Sequence, residues 1–249
     1  GHKEVVDLLL KEGAAVNYTA ENTKNDGYTA LHFATDNEVF DALIKADANV
    51  NATSEHWKIT PLMTYFAAQK NEYTKKKPPN IKILKTLLKK GAKVNAKDIN
   101  GDTALIYALD LEKKNFNDIK LLLDKGANVQ YIESDIKNLN KEILNLLIEN
   151  GVLQNAIYKN DIETVKWLID NGAKKYIDSK DLSVDGNTAL ITASFYGITE
   201  IVKLLLESGA EIDKPNKKRF TALIYASSSG HKEVVDLLLK EGAAVNYTA

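Results

Sequence analysis

Apolar residues recur along this chain in short runs that all end in the same way. Val234, Val235, Leu237, Leu238 and Leu239, flanked by lysine and glutamate, form one broad apolar helix face. Similar runs close on "LLLKEGAAVN" at Asn17, "ALIKADANVN" at Asn51, "LLKKGAKVN" at Asn95, "LLLDKGANV" at Val129 and "LLLESGAEID" at Asp213. "LLLKEGAAVN" then returns, ending at Asn246. Weaker copies are "LLIENGV" before Leu153 and "WLIDNGA" before Lys174. Each run is followed by Gly13, Gly91, Gly126, Gly151, Gly172, Gly209 or Gly242, and once by Asp47. A helix often stops on one left-handed residue, which glycine adopts without strain and aspartate tolerates.

A shorter apolar stretch, opened by threonine, precedes most of these helices. It reads "TALHFA" from Thr29, "TPLMTY" from Thr60, "TALIYA" from Thr103 and Thr221, and "TALITA" from Thr188. Threonine is a serviceable N-cap, and Pro61 suits the first helical position. Upstream, Gly27, Gly101 and Gly186 sit in Asp-Gly or Asn-Gly pairs, which favour tight hairpin turns. Gly1, Gly197 and Gly230 fall between two helical stretches. All 13 glycines thus take places in one repeating unit of hairpin, short helix, turn and longer helix. Its clean spacing is 33 residues from Gly209 to Gly242, and 35 from Gly91 to Gly126.

The pattern breaks in three places. Residues 68–80, with Pro78 and Pro79, read as a loop between the two helices of one unit. Residues 131–176 carry two long-helix phrases but neither an Asp-Gly pair nor a Thr-x-Leu signature, so a hairpin is expected to be missing there. "VLQNAIYKNDIETVKWLIDNGA" still predicts two helices that turn at Asn160-Asp161, yet this region is expected to be the weakest. Residues 174–187 predict an enlarged hairpin. Residues 1–20 and 230–249 are identical, which reads as recent duplication or deliberate design more than as a functional device.

The unit resembles the ankyrin repeat, with its hairpin, helix pair and T-P-L-H-x-A signature. The resemblance implies an all-α ankyrin-repeat solenoid of helix-turn-helix pairs with short β-hairpin fingers. About seven repeats plus an N-terminal half repeat would make a single domain over 1–249. The half repeat covers 1–20, and the repeats lie near 21–52, 53–96, 97–130, 131–151, 152–180, 181–213 and 214–249. Such stacks are quasi-one-dimensional, each repeat burying its apolar face on its neighbours. The family uses the concave surface of fingers and first helices to hold proteins. Carried onto this chain, that surface comprises Asn25, Asp26 and Tyr28, then His56, Trp57 and Ile59, then Ile99, Asn100, Asp102 and Asp110. Further along it takes in Val184, Asp185, Asn187, Phe195 and Tyr196, then Lys217, Lys218, Phe220, Ser228 and Ser229. Trp57, Tyr28, Tyr196 and Phe220 are the expected anchors, because aromatic residues dominate binding energy.

Composition narrows the chemistry. The formal net charge is -1, unlike the lopsided charge of nucleic-acid or membrane-surface proteins. Arg219 is the lone arginine, a bias that reads as codon usage and leaves bidentate recognition of phosphate or guanine almost unavailable. Without cysteine there is no disulfide, thiolate metal site or cysteine nucleophile, and a reducing, cytoplasmic setting is favoured. No apolar run approaches the roughly 18 residues that span a bilayer. The chain opens in mid-pattern, so its native termini are expected to lie outside it. His2, His32 and His231 sit at repeat positions and read as structural, with His32 expected to bond the neighbouring hairpin. His56 alone is off-pattern, and beside Trp57 it suggests contact with a partner.

No Ser/His/Asp set, zinc spacing or phosphate loop is present, so no catalysis, cofactor or metal is expected. The run at 98–102 is explained by a hairpin better than by a calcium loop, because Leu109 stands where that loop needs glutamate. Ten lysines against Glu72 over 70–97 read as a solvated face. The expected function is a scaffold that binds another protein, with no nucleic-acid or membrane partner. Weak end-to-end self-association through uncapped ends is expected as well. The rival readings are a self-assembling module and the recognition arm of a larger enzyme or effector.

Overall fold

The computed structural model describes residues 2–19, 27–70, 80–132, 136–181 and 185–246. Regular structure among them is entirely helical. The chain divides into two compact units, residues 1–137 and 138–249.

In the first unit, the nine-residue second helices α1 (Lys3–Lys11), α2 (Asn37–Lys45), α4 (Ile81–Lys89) and α6 (Phe116–Asp124) alternate with the first elements of each repeat. The latter are a 3-10 turn at Ala30–Phe33 and helices α3 (Pro61–Lys70) and α5 (Ala104–Leu109). The long helices pack side by side, α1 on α2 and α2 on α4. The first elements form a second row, with α3 lying between the 30–33 turn and α5. Further 3-10 turns at Val129–Tyr131 and Ile136–Asn138 lead to the unit boundary.

The second unit opens with α7 (Lys141–Glu149) and α8 (Val152–Tyr158). It continues through α9 (Ile162–Asp170), a 3-10 turn at Ala173–Tyr176, α10 (Ala189–Phe195), α11 (Thr199–Glu207), α12 (Ala222–Ser228) and α13 (Lys232–Lys240). Here α8, α10 and α12 form the short row, and α9, α11 and α13 the long one. The core lies between the rows. Ile83, Leu84, Leu87, Leu105, Ile119, Leu122, Ile143, Leu147, Val165, Leu168, Leu205 and Leu238 are all at most 2% exposed. Each such aliphatic side chain contributes about 1.5–3 kcal/mol on burial.

Local chemistry sets the helix ends. All seven glycines after the leucine runs have positive φ, from 83° to 119°, and Asp47 takes φ 60° in the eighth case. N-termini of the long helices use a set of caps that the repeat pattern does not reveal. Side-chain oxygens of Asp36, Asn80, Asn115, Asn140 and Asp161 accept from first-turn amides of α2, α4, α6, α7 and α9. Thr60, Thr188 and Thr221 cap the short helices as expected, at 3.3, 3.3 and 3.4 Å. The Thr103 hydroxyl does not, and it accepts no cap bond.

Asparagine or aspartate after α1, α2, α4, α9 and α11 ties a repeat to the next. Asn17 Oδ1 accepts from the Asn49 N–H at 2.7 Å, Asn51 from Lys93 at 2.8 Å and Asn95 from Asn128 at 2.8 Å. In the second unit Asp178 accepts from Glu211, and Asp213 from Ala244, both at 3.0 Å.

Three expectations change. The fingers carry hairpin hydrogen bonds but no strand among the described residues. The stretch after Thr29 is a single 3-10 turn at Ala30–Phe33, in which His32 Nδ1 accepts from the Thr29 N–H at 3.1 Å. Residues 68–70 finish α3, whereas 71–79, the rest of the expected loop, lie outside the described residues. The region expected to be weakest also holds extensive burial in 141–158. Only Asn150 and Gly151 join α7 to α8, leaving no room for a finger. Ile143, Leu144, Leu146, Leu147 and Ile148 are buried together with every residue from Val152 to Ile157. Omitting the finger brings two apolar helices into direct succession.

Candidate partner-binding surface

Among the described residues, four fingers are closed by a side chain at their own first turn. One Asp98 carboxylate oxygen accepts from the N–H groups of Asn100 and Asp102, at 2.8 and 2.9 Å. The other accepts from the Tyr107 hydroxyl at 2.9 Å. Asn216 Oδ1 likewise accepts from Lys218 and Phe220, both at 2.9 Å, while its Nδ2 donates to the Tyr225 hydroxyl at 3.2 Å. Ser54 and Asp181 close their loops on the Ile59 and Asn187 amides, each at 3.0 Å. Neighbouring fingers are joined through the main chain, Ile99 N–H to the Trp57 carbonyl at 3.0 Å and Lys217 N–H to the Asp185 carbonyl at 2.9 Å. These rigid loops position exposed side chains without a sheet.

In the first unit His56 and Trp57 are exposed and meet edge to face at 4.7 Å, with Trp57 46% exposed. Ile99, Asn100 and Asp110 are exposed as well, and Asp110 pairs with Lys70. Tyr28 is half-buried against His32 and Phe33, at 5.0 and 5.5 Å. In the second unit Phe195, Tyr196, Lys217, Lys218, Phe220, Ser228 and Ser229 are exposed. Asp185 is half-buried and pairs with Lys218 at 2.7 Å.

Three expected contact residues are engaged in the scaffold. The Ile59 carbonyl accepts from His32 Nε2 at 3.1 Å, Asp102 closes its finger, and Asn187 Oδ1 accepts from Asn216 Nδ2 at 2.8 Å. Asn25, Asp26 and Val184 lie outside the described residues.

Sequence reasoning missed Phe33, Tyr158, Tyr225, Lys58 and Arg219. Tyr158 ends α8 at the position where Phe195 ends α10. The register that relates them was hidden because 152–180 lacks the Thr-x-Leu signature. Lys58 and Arg219 take the left-handed place at the fingertip, with φ 57° and 67°, which Gly27, Gly101 and Gly186 hold elsewhere. A turn written without glycine gives no sequence signal for this.

Four groups with shifted acidity, His32, Asp118, Tyr65 and Tyr107, serve the framework. Burial lowers the His32 pKa. Its Nδ1 accepts from Thr29 and its Nε2–H donates to Ile59, an arrangement that suits the neutral ring. Burial also raises Asp118, which is 3% exposed. Tyr65 donates to its Oδ2 at 3.3 Å, and among the described residues Oδ1 accepts no hydrogen bond. Burial and the neighbouring Asp118 raise Tyr65, as burial and Asp98 raise Tyr107. Lys70 and Lys82 of the lysine-rich segment pair with Asp110 and Asp41. Among the described residues no group of three or more histidine, aspartate or glutamate side chains could hold a metal ion, and no helix is long and apolar enough to cross a membrane.

Residues 35–133 and 153–249 match the family model described as ankyrin repeats in three copies. The chain belongs to the ankyrin-repeat family. An ankyrin repeat protein of fowlpox virus is 36% identical over 102 residues, 41% of this chain and 13% of its own length. Human ankyrin repeat and SOCS box protein 6 is 29% identical over 222 residues, 84% of this chain and 49% of its own. Serine/threonine-protein kinase 12 of Arabidopsis thaliana is 38% identical over 71 residues, 28% of this chain and 15% of its own. The chain spans about half or less of the length of these relatives. Ankyrin repeats generally mediate protein–protein interaction and are typically non-catalytic.

Proposed function

We propose that this ankyrin-repeat chain is a non-catalytic scaffold, holding a partner protein on a concave surface of fingers and first-helix ends. The observation that carries this reading is the exposure of large aromatic side chains at those places. Trp57, Phe195, Tyr196 and Phe220 are 43–49% exposed, and each stands on a finger or at the end of a short helix. Aromatic side chains left in water on rigid supports are typical anchors of protein interfaces.

The test is affinity purification from the source organism or its host. Trp57→Ala, Tyr196→Ala and Phe220→Ala are compared with Lys203→Ala on the outer face of α11. Proteins retained by the unaltered chain and by Lys203→Ala, but lost from the aromatic variants, support the reading. Equal retention by all four variants overturns it.

A second reading is favoured by the relatives' lengths: the chain acts as the recognition arm of a longer protein, as the kinase among them illustrates. A third, self-association, is favoured by α1, which leaves Val5, Leu8 and Leu9 54–58% exposed. Light scattering over a range of concentrations tests it, and strict monomer behaviour removes it.

A further inference from the structure

Five aromatic side chains of residues 138–249 form one connected ladder. Ring centres step from Tyr158 to Tyr196 (5.6 Å), Phe195 (5.0 Å), Tyr225 (5.7 Å) and Phe220 (5.6 Å), every step edge to face. Four of these rings are exposed; Tyr225 is half-buried and anchored through its hydroxyl. Rings that already hold one another lose little freedom when covered, so such a strip is prepared for binding.

The strip is bordered by cations. Lys217, Lys218 and Arg219 lead directly into Phe220, and Lys159 follows Tyr158; all four are exposed. The nearby carboxylates are tied down, Asp185 on Lys218 and Asp181 on the Asn187 amide. Two details mark the cations as placed. Arg219 holds φ 67°, a conformation unfavourable for any residue with a Cβ, where three other fingers have glycine. Next, the Lys217 stem lies over Gly186, where an added Cβ would come within 2.8 Å of Cε. Glycine is kept where it makes room for a lysine and given up where an arginine stands.

We propose that this strip binds an acidic peptide segment of a partner protein, one that carries one or two large apolar side chains among its carboxylates. The proposal rests on the protein-binding reading above. The rings take the apolar side chains, while Arg219 and Lys217 meet carboxylates at one end, Arg219 with its two-pronged guanidinium. Stacked rings and cations also suit single-stranded nucleic acid. A formal net charge of -1 and a single arginine disfavour binding along a continuous phosphate backbone, which needs many cations, so the short acidic peptide is preferred.

Fluorescence anisotropy with the full chain tests this against four labelled probes. One is a short peptide of aspartate and glutamate bearing two phenylalanines. A second has lysine for every acid, a third has serine for each phenylalanine, and the fourth is oligothymidine. The first is expected to bind about tenfold tighter than the others. Phe195→Ala weakens it about tenfold, and Lys217→Glu with Arg219→Glu reverses the preference toward the lysine probe. Arg219→Gly raises the melting temperature while weakening the acidic probe, a gain of stability with a loss of binding that no folding defect produces. The proposal is overturned by equal binding of the peptides, by no binding, by tighter oligothymidine binding, or by loss on Trp57→Ala in place of Phe195→Ala. That last outcome removes the strip but leaves the scaffold reading standing. The reading itself falls only if the aromatic variants still capture every partner.

Discussion

Residues 1–20 and 230–249 are the same sequence in two neighbourhoods. Both form a nine-residue helix with matching bounds, α1 and α13, and neither has a side-chain N-cap. There the likeness ends. Val5 and Leu9 are each 54% exposed, whereas their counterparts Val234 and Leu238 are fully buried. The first copy packs mainly on α2; the second lies against both α11 and α12. Helix formation is therefore a local property of this segment, while burial is conferred by its neighbours. Helices this short are marginal alone, so most of their stability comes from that packing.

Substitution at matched positions gives the sharpest test. Leu238→Ala is expected to cost about 2–5 kcal/mol, and Leu122→Ala and Leu205→Ala, equally buried, should lose as much. Leu9→Ala should cost less than about 0.5 kcal/mol. Urea melts measure all four, and equal losses for Leu9 and Leu238 would break the comparison.

A buried residue can also be poorly served by its surroundings. Asp118→Asn is expected to stabilise the first unit by about 1 kcal/mol at neutral pH, by removing a buried charge that no described cation neutralises. Its pKa is raised in the folded chain. Relative to the unfolded chain, the wild-type carboxyl is best tolerated when protonated, and that advantage is lost as pH rises through its folded pKa. The gain from asparagine should accordingly shrink in acid. A constant gain from acid to neutral pH would refute the assignment to charge.

Histidine provides a matched pair of smaller effect. His231 Nε2 lies 2.8 Å from the Phe195 carbonyl, and its ring fills the space over Gly197, where a Cβ would come within 2.5 Å of Nδ1. His231→Ala is expected to cost about 1 kcal/mol, with no measurable loss for His2→Ala. Indistinguishable melts for the two would show that the contact carries no stability.

The smallest effect expected is a pH dependence from His32. Its folded pKa is lowered by burial, so the stability it contributes is present above its ordinary range near 6.5 and lost as pH falls below it. Melting temperatures taken downward from neutral pH should decline, and His32→Gln should flatten that decline. An unchanged slope would assign it to other groups.

The sequence by itself determined the repeating unit. Glycine at left-handed helix ends, leucine on one face of each long helix and threonine ahead of most first helices are choices made within a few residues. Local rules read them correctly, including the turn at Asn160, where φ is 54°. The His32 bond to the next finger also followed, because the family pattern carries that contact with it. Tertiary structure decided what depends on residues distant in the chain. It buried Leu238 and left Leu9 in water, although the two have identical sequence neighbours for several residues on either side. It turned Asn17, Asn51 and Asn95 into ties between repeats. It linked Tyr158 to Phe220 through three other rings, and it engaged Ile59, Asp102 and Asn187 in closing the fingers. A residue's helical state depends mostly on its immediate neighbours in the chain, but its exposure and partners depend on which other repeat lies beside it.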